Sequence, residues 1–268
     1  MGLYAAAKEL GVEVQVVDAI DFDAKCVEVY NANLPHPVAR VADVKKLTRA
    51  DLPPHDLVIG GPPCQPHSLA GKRLGVDDPR DCLPDFKRLA HNTPYLMENV
   101  VPRLMHAPFS VKLNAFDYGD VTTRKRWFYS SHLLYVIETP GFRRFGDIRD
   151  HEADRLTLGK GGSTGFLKVG LRGHSASASA FEDDEPLGSF VSNSWHGNEL
   201  SKLGPMVRCP SLIEMARAHS IPDDFKWCGA TKTARGKMIA NCWPVGLATA
   251  VLRSMLVAMG ACEIEGVA

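Results

Sequence analysis

Between Asp56 and Ser68 the chain reads Asp-Leu-Val-Ile-Gly-Gly-Pro-Pro-Cys-Gln-Pro-His-Ser, and no other stretch restricts the fold so tightly. Leu57 to Ile59 is apolar and rich in β-branched residues, the pattern of a buried strand. Gly60, Gly61, Pro62 and Pro63 stop it. Paired glycines admit backbone conformations closed to other residues, while paired prolines lock φ and remove two amide donors. The result is a stiff loop at the carboxyl end of a strand, where open α/β sheets bind their ligands. Cys64 sits on that loop. A lone cysteine is commonly a small buried hydrophobe. The rigid lead-in, with the polar Gln65 and Ser68 behind it, suits a nucleophilic thiol better.

The flanking chain repeats a strand-then-helix rhythm. Residues 3–10 are strong helix formers closed by Gly11, a C′ glycine by position. Val12 to Ala19 reads as a strand, Ala24 to Asn33 as a helix broken by Pro35 and Pro37, and Val38 to Val41 as another strand. This alternation predicts a parallel sheet with helices on its faces. Asp21-Phe22-Asp23 follows the first strand, where an acid either holds ribose hydroxyls or caps the next helix. Pro94 to Val100 is an apolar strand carrying Glu98 near its end. A carboxylate there is costly to bury without a role or partner, unless the strand simply emerges into solvent. Arg124-Lys125-Arg126 is either a surface basic patch or a binding set. Ser211, with Glu214 three residues on, is a capping box that opens a helix.

Composition sets wider bounds. The 268 residues suffice for one large domain, or a large one with a small partner, and 45% hydrophobic content supports a real core. No run approaches the length of a membrane span and no charged-then-apolar leader opens the chain, so a cytoplasmic protein is expected. Acidic and basic residues balance at 31 each, so any nucleic-acid surface must come from local clustering. The seven cysteines are scattered without a CxxC pair or Cys/His spacing, which points to neither a disulfide framework nor a metal site.

Taken in order, Gly-Pro-Pro-Cys-Gln-Pro-x-Ser, Glu98-Asn99-Val100, and Asn114-Ala115-x-x-Tyr118-Gly119 followed by Arg124-x-Arg126 resemble the motifs of the DNA cytosine-5 methyltransferases. Ile221-Pro222-Asp223-x-Phe225 and Asn241-x-x-Pro244 are similar to that family's C-terminal signatures. The resemblance implies an α/β fold with a Rossmann-like, mostly parallel sheet, helices on both faces and a small irregular or β target-recognition region. It implies a catalytic core over residues 1–132, a variable recognition region over 133–205, and a return to the core over 206–268. Residues 133–205 are rich in Gly, Ser and charge, and read alternatively as a disordered insert.

For the site, the resemblance implies that Cys64 is the nucleophile, Glu98 the acid on the cytosine ring and Arg126 a partner of its carbonyl. S-adenosylmethionine is the implied cofactor. Asp21 would bind its ribose and Phe22 stack on its adenine, with Asp43, Pro63 and Asn241 also lining that site; the Pro63 backbone is further placed to orient the cytosine amine. Gln65, Ser68, Asn99 and Arg124 are implied substrate contacts. Lys72 and Arg73 are candidate phosphate contacts, and Arg143, Arg144, Lys160, Arg172, Trp195 and His196 candidate base contacts. No metal is implied. The expected partner is double-stranded DNA, bound by a monomer away from any membrane, in a restriction-modification setting.

The sequence departs from the family in four ways. Thr122 stands where the family has glutamine, Ala42 and Ala240 where it has glycine, and Trp243 where it has valine. The family's opening strand and Phe-x-Gly-x-Gly-Gly loop have no counterpart in these 268 residues. Losing them would open two strand edges and half of a ligand pocket, so an N-terminal complementing fragment is an expected partner. The alternatives are a DNA-binding relative without activity, and an RNA cytosine methyltransferase using the same thiolate chemistry.

Overall fold

The helix formers near the start build α1 (Gly2–Leu10), and Gly11 ends it in the left-handed region, at φ 67°, with its amide bonded to the Ala7 and Lys8 carbonyls. The computed structural model of the protein describes residues 1–67, 75–139, 143–153, 168–172, 178–181, 183–189 and 207–261. These fall into two units.

The first unit comprises Met1–Leu113, Lys125–Glu138 and Ala248–Ala268. It holds β1 (Ala19–Asp21), α2 (Ala24–Ala32), β2 (Ala39–Val41), β3 (Val58–Gly60), α3 (Leu83–Leu89), β4 (Tyr95–Asn99), β5 (Phe109–Asn114) and β6 (Lys125–Ser130). β1 pairs β2 in parallel, and β3 pairs β4 in parallel, with Val58 opposite Tyr95. β6 runs antiparallel to β4, with Glu98 opposite Phe128. The strands form two sheets, β1-β2 and β3-β4-β6-β5. The architecture is the expected α/β fold. β4 is the most enclosed strand, with Leu96 and Met97 fully buried.

Two details differ from expectation. The strand expected from Val12 to Ala19 is paired only at Ala19–Asp21. Residues 12–17 keep an alternating half-buried and exposed pattern, but they pair with no described strand. A strand is defined by its neighbour as much as by its residues. Gly60 and Gly61 are also absent from the residues with positive φ. Gly60 is needed for space: a Cβ there would lie 2.7 Å from the Phe86 ring of α3.

The second unit comprises Asn114–Arg124 and Thr139–Leu247. It carries a three-stranded sheet, β8-β7-β9, built from β7 (Lys168–Arg172), β8 (Ala178–Phe181) and β9 (Val207–Arg208). Two helices follow, α4 (Leu212–Ala218) and α5 (Lys232–Asn241). The predicted capping box forms: Ser211 accepts the Glu214 amide and Glu214 accepts the Ser211 amide. These boundaries differ from the expected 132/133 and 205/206 divisions. Met215, Ala218 and Ile239 share a core with Val121, Phe145 and Leu187, which draws α4 and α5 into the second unit.

The last helix, α6 (Val245–Ala258), runs from the second unit into the first. Among the described residues, only Lys232–Ala258 is long and apolar enough to cross a membrane, and it is mostly buried in the protein and interrupted between Asn241 and Val245. In the first unit α6 packs on α1 so closely that a Cβ on Gly2 would lie 2.6 Å from that of Ala248.

The start of α6 is held by Asp120, a fully buried acid that accepts the amides of Gly246 and Leu247 at 3.1 and 2.8 Å. Burial pushes its carboxyl up to about 6, against the opposing pull of those amides and of the Ser220 hydroxyl. The folded value lies above the ordinary 3.8, so the folded state binds this proton more tightly than the unfolded chain does. Its stabilisation is full below about pH 4 and is lost as pH rises through about 6. The stability gap between wild type and Asp120→Ala is expected to shrink by roughly 3 kcal/mol across that window. Urea unfolding from pH 4 to 7 measures it; a gap constant with pH would refute the assignment.

Candidate active site

The rigid loop leaves β3 at Gly60 and carries Cys64 as a half-buried residue. Its geometry is set from the neighbouring strand. Asn99, at the end of β4 and 2% exposed, donates from Nδ2 to the Pro62 carbonyl at 3.1 Å and accepts the Val101 amide on Oδ1 at 3.1 Å. Pro62 and Pro63 have no amides, so the loop is steadied through a carbonyl. The Asn99 side chain is thereby committed to the loop. It positions the loop, and both ends of its side chain are engaged in doing so. Gln65 is exposed in the turn after Cys64, and Ser68, Lys72 and Arg73 lie outside the described residues.

One residue before Asn99, Glu98 faces the adjacent antiparallel strand. Arg126 lies two residues from its cross-strand partner Phe128, the diagonal position within reach of long side chains. Arg126 Nε meets Glu98 Oε1 at 2.7 Å, with the two side chains 12% and 11% exposed. The strand therefore does not emerge into solvent at Glu98. Tyr129, on the same strand as Arg126, fastens the chain after β4: its hydroxyl donates to the Val101 carbonyl at 2.5 Å and accepts the Leu104 amide at 3.0 Å. Sequence reasoning missed Tyr129, although a tyrosine in an otherwise apolar strand signals a hydroxyl seeking a partner.

Arg124, an implied substrate contact, lies in the second unit. It is 3% exposed and donates to the Ala240 carbonyl at 2.7 Å, at the carboxyl end of α5, where a cation is favoured. Thr122 is fully buried and donates to the Gly188 carbonyl at 3.1 Å. These two residues tie the second unit together. Arg144 stacks over Phe116 with its charge centre 5.3 Å from the ring, and Arg143 is exposed. Lys160, Trp195 and His196 lie outside the described residues, as does the Arg172 side chain.

At the carboxyl end of β1, the two acids divide their roles. Asp23 caps α2, accepting the Lys25 amide at 2.8 Å, while Asp21 accepts the Asp23 amide at 2.8 Å. The cap is thus Asp23, and Asp21 is not needed for it. Phe22 between them is 80% exposed, and Val41 at the end of β2 is 55% exposed. Asp43 caps a short 3-10 turn, accepting the Lys45 amide at 3.0 Å. An exposed aromatic face beside a carboxylate at a strand end fits an adenosine group, with the ring for the base and the acid for the ribose hydroxyls. Asn241 is exposed at the last residue of α5 in the second unit. Among the described residues no cluster of three or more His, Cys, Asp or Glu side chains is arranged to hold a metal.

The fold is shared with solved methyltransferases. The fold superposes on S. pombe Dnmt2 methyltransferase with a TM-score of 0.64 at 18% identity, over 96% of this chain and 95% of that one. It superposes on the Entamoeba histolytica methyltransferase EhMeth with a TM-score of 0.63 at 13% identity, over 96% and 94%. In sequence, the C-5 cytosine-specific DNA methylase family matches residues 2–110. Type II methyltransferase M.FnuDI of Fusobacterium nucleatum is 31% identical over 152 residues, 47% of this chain and 43% of that protein. Type II methyltransferase M.HgiCII of Herpetosiphon aurantiacus is 36% identical over 136 residues, 42% of this chain and 31% of that protein. The matched region thus spans less than half of each of these relatives. Over its first 110 residues the chain is thus similar to the C-5 cytosine-specific DNA methylases.

Proposed function

We propose that this protein methylates carbon 5 of cytosine in duplex DNA through a covalent bond from Cys64. The supporting observation is that the Cys64 loop and the Glu98–Arg126 pair lie at the carboxyl ends of adjacent parallel strands, joined by the bond from Asn99 to Pro62. Asp21, Phe22, Asp43 and Pro63 would hold S-adenosylmethionine, which when bound would supply the electrophilic methyl group. Carbon 5 of cytosine is a weak nucleophile until carbon 6 is attacked. Cys64 as thiolate adds to carbon 6 and pushes electrons into the ring, which makes carbon 5 enamine-like. Glu98 delivers a proton to ring nitrogen 3, and Arg126 both orients Glu98 and holds the carbonyl oxygen. After methylation a base removes the carbon 5 proton, and Cys64 leaves with the bonding pair. A stacked base cannot reach this site, so the cytosine flips out at a cost of a few kcal/mol.

Glu98→Gln keeps the shape of the acid and removes its proton. It is expected to lower the single-turnover rate of methyl transfer by about 10²- to 10⁴-fold. A rate unchanged by this substitution would remove Glu98 from the chemistry.

Among the described residues β1 and β3 each pair with only one strand, and Ile59 of β3 is 39% exposed. A parallel strand carrying the family's glycine loop would satisfy these edges and enclose the methionine end of the cofactor. The test is transfer of labelled methyl from S-adenosylmethionine to cytosine-rich duplex DNA, with and without an added strand-plus-glycine-loop segment. Transfer in either condition is expected. Absence of transfer in both, or transfer to structured RNA alone, overturns the proposal.

A further inference from the structure

The turn that carries Cys64 is fastened at two places and approached at a third. Asn99 holds Pro62, and the Gly75 amide donates to the Pro66 carbonyl at 2.9 Å. The third is His67, whose Nε2 lies 3.2 Å from Asp81 Oδ1, the two side chains being 17% and 4% exposed. The pair is close but not yet closed: the ring nitrogen completes no hydrogen bond, and Asp81 Oδ2 has no hydrogen-bond partner among the described residues. Asp81 Oδ1 meanwhile accepts the Leu83 amide at 3.0 Å, which anchors the acid at the start of α3. The His67 amide donates to the Cys64 carbonyl at 3.0 Å, so a movement of His67 is passed to Cys64 within one turn.

We propose that His67 and Asp81 are the latch of this turn. With substrate in place, the imidazole N–H swings onto the Asp81 carboxylate and fixes Cys64 for attack. The inference rests on Cys64 being the nucleophile. Hydrogen bonds around a catalytic group are often long or misaligned without substrate and tighten once it binds. A buried carboxylate oxygen without a donor is unfavourable, which supplies the drive to close. His67 touches no reacting atom in this scheme and is a positioning residue.

The test compares His67→Leu, His67→Gln, Asp81→Asn and the double variant His67→Leu/Asp81→Asn. The readouts are kcat, KM for duplex DNA, Tm and the rate of Cys64 alkylation by iodoacetamide, followed by peptide mapping. Misplacing a reacting group by about 1 Å costs on the order of 100-fold. His67→Leu is therefore expected to lower kcat by about 10- to 100-fold with KM within about threefold. His67→Gln, which keeps an N–H at similar reach, restores most of the loss. The double variant is expected to be no worse than the poorer single one, since the two act as a unit. Unchanged kcat in His67→Leu, or losses that multiply in the double variant, overturn the latch while leaving Cys64 catalysis intact. If wild type transfers no methyl group at all, the reading of function fails separately. Cys64 alkylation then decides: rates altered alike in His67→Leu and Asp81→Asn support the latch, and unaltered rates overturn it.

Discussion

Cys64→Ser is expected to abolish methyl transfer, by on the order of 10⁴- to 10⁶-fold, with no more than a small change in Tm. A hydroxyl matches the thiol in size, so a half-buried site tolerates it, but it ionises several pH units higher and is a far weaker nucleophile toward carbon 6. Other thiols are poor substitutes. Burial, with Asp21 and Asp23 nearby, pushes Cys26 up to about 11. Burial likewise raises Cys82 and Cys209, so all three stay protonated at neutral pH. The measurement is labelled-methyl transfer alongside capture of the protein on duplex DNA carrying 5-fluorocytosine, where the carbon 5 substituent cannot leave as a cation. Wild type is expected to be captured and Cys64→Ser not. If the serine variant lost stability while keeping activity, Cys64 would be a packing residue after all.

Glu214→Ala is expected to destabilise the second unit by about 3–5 kcal/mol, the cost of leaving a buried charge without its partner. Glu214 is fully buried, and its two oxygens meet Arg208 Nη1 at 2.7 Å and Nη2 at 2.6 Å. The same oxygens accept the amides of Ser211 at 2.8 Å and Asp150 at 2.9 Å. One carboxylate thus completes the capping box, neutralises Arg208 and joins α4 to the segment around residue 150. Alanine removes all of these at once and leaves Arg208, itself 6% exposed at the side chain, buried and unpaired from its main partner. Glu214→Leu with Arg208→Met replaces charge with apolar volume and is expected to recover much of the loss. Urea unfolding of the three proteins checks both results. A cost below about 1 kcal/mol in Glu214→Ala would place this pair among ordinary surface ion pairs.

Several features were legible in the sequence because they are settled within a few residues. Gly11 ends α1, Ser211 and Glu214 close their capping box, and the Gly-Gly-Pro-Pro loop follows a short strand, all through bonds or constraints that span a single turn. The motif order also carried the resemblance, since the Cys64 loop and Glu98-Asn99 lie at the carboxyl ends of neighbouring strands.

Other features depended on where the chain returns. Whether Asp21 or Asp23 caps α2 was open until the helix start was in place. Asn99 read as a substrate contact, but the paired strand brings it to the Pro62 carbonyl, 37 residues away in sequence. Arg124 read as part of a binding set, yet it is captured by the Ala240 carbonyl, 116 residues away. The valines at 12–17 have the residues of a strand and make no strand, since no described strand pairs with them; the Val12 amide goes to the Ala7 carbonyl and the Val16 amide to the Tyr4 hydroxyl. Gly60 was expected for its φ and is required by the Phe86 ring. Sequence by itself determined the local hydrogen bonds and the order of the chemistry-bearing groups, because those need only neighbouring residues. Tertiary structure alone decided which polar groups remain available for chemistry and which are used to hold the protein together, because a buried donor or acceptor takes whichever partner folding brings within about 3 Å.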